Sequence, residues 1–109
     1  MALKVVLTWN LKKGHEPAYF DFVVKQYLPK VHQLGLVLTD AWLTAYGERP
    51  QMLVGGTLPT LTKVRHLFES SDWLELQDEL LDYVDDYEVK VLDLKGGFQF
   101  YTRKLKRIY

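Results

Sequence analysis

Residues 36–58 read LVLTDAWLTAYGERPQMLVGGTL. Two apolar runs flank the turn residues GERP, and a connection this short predicts an antiparallel hairpin with strands over 36–47 and 51–58. In strict alternation Val37, Ala41, Leu43 and Ala45 fall on one face of the first strand, and Leu38, Trp42 and Tyr46 on the other. A sheet with one wet face needs apolar side chains on one side only, so this strand is expected to be covered on both. Gly55 and Gly56 weaken the second strand unless a bulge or a close backbone approach requires them.

Upstream of the hairpin, KVVLTWNL at 4–11 alternates, with Val5, Leu7, Trp9 and Leu11 on one face, and reads as a strand. Glu16 and Pro17 open a helix, with proline in the first turn where its missing N–H costs nothing. Phe20, Val23, Val24, Tyr27, Val31 and Leu34 follow at helical spacing. Pro29 interrupts this pattern and should kink the helix or split off its last turn, and Gly35 is a natural C-terminal cap. Downstream, Pro59 and Thr60 start a second helical region whose first stripe is Leu61, Val64, Leu67 and Phe68. Ser70, Ser71 and Asp72 break it, and Asp72 with Glu75 has the spacing of a capping box. A further helical segment over 72–84 carries Trp73, Leu76, Leu80, Tyr83 and Val84 on one side, and YEVKVLDL at 87–94 reads as the fourth strand.

The order strand, helix, strand, strand, helix, strand predicts a ferredoxin-like α+β fold. In this βαββαβ sandwich a four-stranded antiparallel sheet carries two helices on one face. Residues 1–109 form one domain in this reading, with 96–109 a terminal strand and basic tail. The other sheet face cannot be wholly wet if the hairpin strand is apolar on both sides. A two-fold homodimer with sheets packed face to face resolves the conflict.

Composition narrows the function classes. Fourteen basic and fourteen acidic residues give zero net charge, which argues against binding to a phosphate backbone, so no nucleic-acid partner is expected. The absence of cysteine excludes disulfides, thiolate nucleophiles and Cys-ligated zinc. No apolar run approaches a membrane span, and MALKVVLTWNLKKG lacks the apolar stretch of a signal peptide, so a cytoplasmic protein without a membrane partner is expected. Aromatic residues make up 14% of the chain, more rings than a small interior readily hides, so some are expected in a cleft or a subunit interface.

The element order, LPKVHQLGL leading from the first helix into the hairpin, and LFESSDWLELQDELLDYV ahead of a strand resemble the dimeric α+β barrel superfamily over residues 3 to 100. This superfamily includes antibiotic-biosynthesis-type monooxygenases, NIPSNAP-like domains, stress-responsive barrel domains and haem-degrading monooxygenases. The resemblance implies a homodimer with a small apolar or aromatic ligand held in a cleft between sheet and helices. Haem-degrading members place an asparagine near the end of the first strand and a tryptophan on the second helix, as Asn10 and Trp73 stand here. Their haem-ligating histidine would fall near Tyr83, where LELQDELLDYV has none, which counts against haem.

His15, His32 and His66 show no metal-ligand spacing, so neither a metal nor another cofactor is expected. Cofactor-free oxygen chemistry would need apolar walls, a donor for an anion and a base. Trp9, Trp42, Tyr46 and Trp73 are candidate walls, with Arg49 as a further ligand contact and Asn10 and His66 as candidate catalytic groups. The competing reading for each ring is core or interface packing, and for Trp73 core packing is favoured. The acidic stretch from Glu75 to Glu88 reads as a solvated face. The basic tail with Arg103, Lys104, Lys106 and Arg107 reads as a contact for the partner's acidic helix. Two function classes remain open: a binding domain with an aromatic-rich cleft, or a monooxygenase-like or isomerase-like enzyme acting on an aromatic or polyketide-like compound.

Overall fold

The computed structural model describes residues 2–44 and 51–93 and the backbone of 99–104. The elements are β1 (Leu3–Leu11), α1 (Glu16–Phe22), a π-helical turn (Val23–Tyr27), α2 (Leu28–Gln33), β2 (Val37–Thr44), β3 (Gln51–Leu58), α3 (Leu61–Glu69), α4 (Ser71–Leu80), β4 (Val84–Asp93) and β5 (Gln99–Lys104). The strands pair antiparallel in one sheet of order β2-β3-β1-β4-β5. Its first four strands stand in ferredoxin-like order, and β5 extends the sheet beyond β4. Arg103 and Lys104 therefore pair with Val89 and Glu88 of their own β4. The rest of the basic tail lies outside the described residues, as does the final part of the strand expected over 36–47.

Pro29 acts as its chemistry requires. It has no N–H, and its ring needs room at the carbonyl one turn back. The preceding turn widens into π geometry, with Leu28 N–H bonding to Val23 C=O, and the helix then resumes as α2. Gly35 ends it at φ +107°, with Gly35 N–H on His32 C=O and Leu36 N–H on Val31 C=O, the paired bonds of a Schellman cap. Thr60 caps α3 by accepting from Lys63 N–H. At the next corner the cap is Ser70, not Asp72. Its Oγ donates to Leu67 C=O at 2.8 Å and accepts from Trp73 N–H at 3.3 Å, closing α3 and opening α4 with one hydroxyl.

Alternation in β1 sets the layers. Leu3, Val5, Leu7, Trp9 and Leu11 are buried beneath the helices, while Lys4, Val6, Thr8 and Asn10 are half-buried on the opposite face. Two bulges break the expected alternation elsewhere. In β4 the register slips opposite Trp9, and Asp86 takes φ +54° so that Val84 and Tyr87 both point inward. The strand thus begins three residues earlier than its alternation suggested. In β2 the register slips at Thr39. Across β3, Val37 pairs with Thr57 and Trp42 with Leu53, which puts Val37 and Trp42 together on the helix-free face. Strict alternation had placed them on opposite faces.

Both glycines of β3 are sites of close approach. A Cβ on Gly56 would stand 2.6 Å from Leu36 Cγ and 3.0 Å from the Val37 carbonyl oxygen. A Cβ on Gly55 would stand 2.8 Å from Asp40 Oδ2 and 3.0 Å from Lys4 Cε. Lys4 on β1 and Asp40 on β2 form an ion pair, and they reach each other over β3 because Gly55 leaves the space above it empty. The Lys4 ammonium holds the Asp40 carboxyl below the usual carboxylate range.

Candidate functional site

The interior between sheet and helices is an aromatic cluster with polar handles. Trp9 is wholly buried; it lies parallel to Tyr87 at a centroid distance of 6.1 Å and meets Tyr27 edge-on at 5.6 Å. Its indole N–H donates to Tyr19 Oη at 2.9 Å. Gln77, 2% exposed, is the buried polar residue among the described side chains. Its Oε1 accepts from Tyr27 Oη at 2.8 Å and from Tyr87 Oη at 2.7 Å, while its Nε2 has no acceptor among the described residues. Burial pushes the Tyr27 phenol far above its ordinary value, with the Gln77 bond opposing. The Tyr19 phenol is raised for the same reason, with the Trp9 bond pulling it back.

Trp73 is also in the core, 3% exposed, with its ring stacked on Phe68 at 5.5 Å. Asn10 stands on the helix-free face at the far end of β1, where its Nδ2 donates to Asp86 Oδ2 at 2.8 Å beside the bulge. Trp42 is the most solvent-facing of the three tryptophans, 65% exposed on that same face. Tyr46 and Arg49 lie outside the described residues.

His66 occupies different ground. It is exposed on α3 and lines a cleft of about 470 Å³ at the boundary between sheet and helices. Leu34 and Gly35 from the end of α2, Leu58 and Pro59 from the end of β3, and Leu67 from α3 form the apolar lining, with Lys63, His66 and Ser70 as its polar members. The Schellman turn fixes the backbone at Gly35 on one wall of this cleft, and the cap at Thr60 holds the N–H of Lys63, which lines another. Ser70 already uses its hydroxyl both as donor and as acceptor in the helix corner, so it is no free nucleophile.

The two candidate catalytic groups do not converge. The cleft adjoins Leu58, which pairs with Leu3, whereas Asn10 lies seven residues further along β1. At roughly 3.3 Å per residue that is about 23 Å, and Asn10 also faces the opposite side of the sheet. His15 and His32 are exposed on or beside α1 and α2 and are not among the residues that line this cleft. Among the described residues no three metal-ligating side chains cluster, and no helix is long and apolar enough to cross a membrane.

Sequence reasoning passed over Gln77, Tyr27 and Lys63. The signal for Gln77 was a polar residue four positions after Trp73, on a stripe otherwise made of Trp73, Leu76 and Leu80. Lys63 stood one helical turn before His66. Its meaning depends on Leu34 and Leu58, which only the fold brings alongside.

No family model matches the sequence, and no curated protein matches it. Solved structures do share its fold. A NIPSNAP family protein from Agrobacterium tumefaciens is 16% identical, with 85% of this chain and 92% of that one covered at a TM-score of 0.65. An antibiotic biosynthesis monooxygenase-like protein from Nitrosomonas europaea is 11% identical over 89% of this chain and 94% of that one, with a TM-score of 0.63. A dimeric protein of unknown function and ferredoxin-like fold from Bacteroides fragilis is 9% identical over 85% and 96%, with a TM-score of 0.59. At such identities the likeness is one of fold. The chain has a ferredoxin-like α+β architecture, and NIPSNAP and monooxygenase-like proteins are among its structural neighbours.

Proposed function

We propose that the protein is a homodimeric small-molecule-binding domain whose ligand lies in the His66 cleft. The observation that carries this reading is the cleft itself: about 470 Å³, walled by capped backbone, apolar over most of its lining and polar at a few positions. Small-molecule sites have this size and this make-up. Trp9 and Trp73 then belong to the packing behind the site, and Trp42 to the subunit contact. The test is amide chemical-shift mapping with a library of small neutral and charged compounds. Perturbation centred on Leu34, Gly35, Lys63 and Leu67 supports the reading; a library that leaves these amides unmoved refutes it.

The homodimer is supported by Val37 and Trp42, 55% and 65% exposed on a face that no helix covers. A dimeric structure stands among the neighbours. Packing this face on its two-fold copy would bury both side chains and enclose the Lys4–Asp40 pair. Sedimentation should show a dimer, and Trp42→Glu should raise its dissociation constant at least about 100-fold, near 3 kcal/mol for loss of a central aromatic anchor. A wild-type monomer at micromolar concentration would end this part of the proposal.

A second reading is a cofactor-independent monooxygenase-like or isomerase-like enzyme acting on an aromatic or polyketide-like compound. It is favoured by the imidazole of His66 at the cleft, where it could exchange a proton with a bound phenol or enol. Turnover that survives both Asn10→Ala and His66→Ala would remove these residues from any chemistry.

A further inference from the structure

We infer that the ligand of the His66 cleft is a monocarboxylate with an apolar body, an inference that rests on the binding reading above and names its ligand class. The lining divides sharply. Leu34, Leu58 and Leu67 supply hydrocarbon from three separate elements. Lys63 and His66, one turn apart on α3, supply an ammonium and an imidazole on one side. Among the described residues no carboxylate lines the cleft. Among the described residues no ion pair or side-chain hydrogen bond occupies Lys63 or His66, whereas Lys4 and Lys25 each have an acidic partner.

A cation and a ring N–H beside an apolar trough suit a ligand with the complementary division. The imidazole offers an N–H donor in either protonation state, and the ammonium offers three. A carboxylate can accept from both at once through its two oxygens, while its hydrocarbon body replaces water over the leucines. A neutral apolar molecule would leave the ammonium without return for its lost hydration, and a polyanion would find one cation and a greasy floor. The arrangement therefore selects one negative charge at one end of an apolar body.

The test uses the full-length protein, sodium hexanoate, octanoate and decanoate, and octanamide as the uncharged match to octanoate, followed by amide chemical-shift titration. Octanoate should move the amides of Leu34, Gly35, Lys63 and Leu67. Affinity should rise about four-fold per added methylene. Octanamide should bind at least about ten-fold more weakly than octanoate. Lys63→Gln with His66→Gln replaces two exposed side chains, so the fold is kept. That variant should bind octanoate about ten-fold more weakly and octanamide by a clearly smaller factor, since only the carboxylate loses charge-assisted bonds.

Equal binding of octanoate and octanamide, lost together when the cleft is narrowed by Leu67→Phe, would overturn the carboxylate assignment and leave the binding reading standing. Shifts centred on Trp42 and Val37 instead of the cleft would overturn the assignment, as would no shift from any of the four probes at millimolar concentration. In that last case the broader library decides separately whether the cleft binds anything.

Discussion

Gln77 gives the sharpest test of how the interior is held. Its amide oxygen takes hydrogen bonds from Tyr27 and Tyr87, and its amide nitrogen meets no acceptor among the described residues. Gln77→Leu removes that orphan donor, recovering about 1–3 kcal/mol, but takes the shared acceptor from two buried hydroxyls at about 1–3 kcal/mol each. The expected net is a destabilisation of about 2 kcal/mol. The triple variant Gln77→Leu, Tyr27→Phe, Tyr87→Phe makes both ends of these two bonds apolar. It should return to within about 1 kcal/mol of the parent or exceed it, because the orphan nitrogen is gone too. Urea unfolding followed by tryptophan fluorescence reads the effect as a shift in midpoint at constant slope. Trp9, stacked on Tyr87, serves as reporter. The reasoning fails if the triple variant is no more stable than Gln77→Leu alone, because that coupling is what the shared oxygen requires.

Three further perturbations test the frame around it. Gly56→Ala forces a methyl against Leu36 and the Val37 carbonyl and should cost about 1–3 kcal/mol by thermal unfolding. Gly55→Ala should cost less, since it meets the flexible ends of Lys4 and Asp40. Ser70→Ala deletes the hydroxyl that closes α3 and opens α4 and should cost about 0.5–2 kcal/mol in urea. Tyr19 and Tyr27 have phenols raised by burial, so the unfolded chain loses those protons first. Stability from this source is intact below about pH 10 and falls as pH climbs toward the folded values, by up to about 1.4 kcal/mol per pH unit per phenol. Tyr27→Phe should flatten that decline, and a pH-independent stability between pH 9 and 11 would contradict it.

The frame was legible in sequence wherever local chemistry decides. Pro29, Gly35 and Thr60 each impose a backbone requirement that neighbours cannot overrule, and each did so. The third strand was readable to the residue at 51–58, because the turn-forming residues GERP precede it in the sequence and Pro59 follows it. The cap at Ser70 was misread as Asp72, since three consecutive residues suit that role and only the path of the chain out of α3 selects among them. Gln77 was invisible for a different reason. Its partners come from the π-helical turn and from β4, and no spacing within α4 predicts that two phenols will meet its oxygen.

The bulges explain why faces were harder to read than strands. Each inserts one residue and reverses every inside–outside assignment beyond it. At Thr39 this reversal brings Val37 and Trp42 to the helix-free face, while Leu38 turns toward the core. Strict alternation spread the apolar surface of β2 over both sides and implied two covers. The bulge instead gathers the exposed Val37 and Trp42 on one side, beside the ion pair that Gly55 makes room for. One sheet can then do two unlike things. Its helix-covered side is filled by Trp9, Tyr27 and Tyr87, with the His66 cleft at the Leu58 end. Its helix-free side carries the proposed contact with a second copy. That division has a measurable consequence: Trp42→Glu should break the dimer while octanoate affinity at the His66 cleft stays within about three-fold of the parent, since the two sites lie on opposite faces of the sheet.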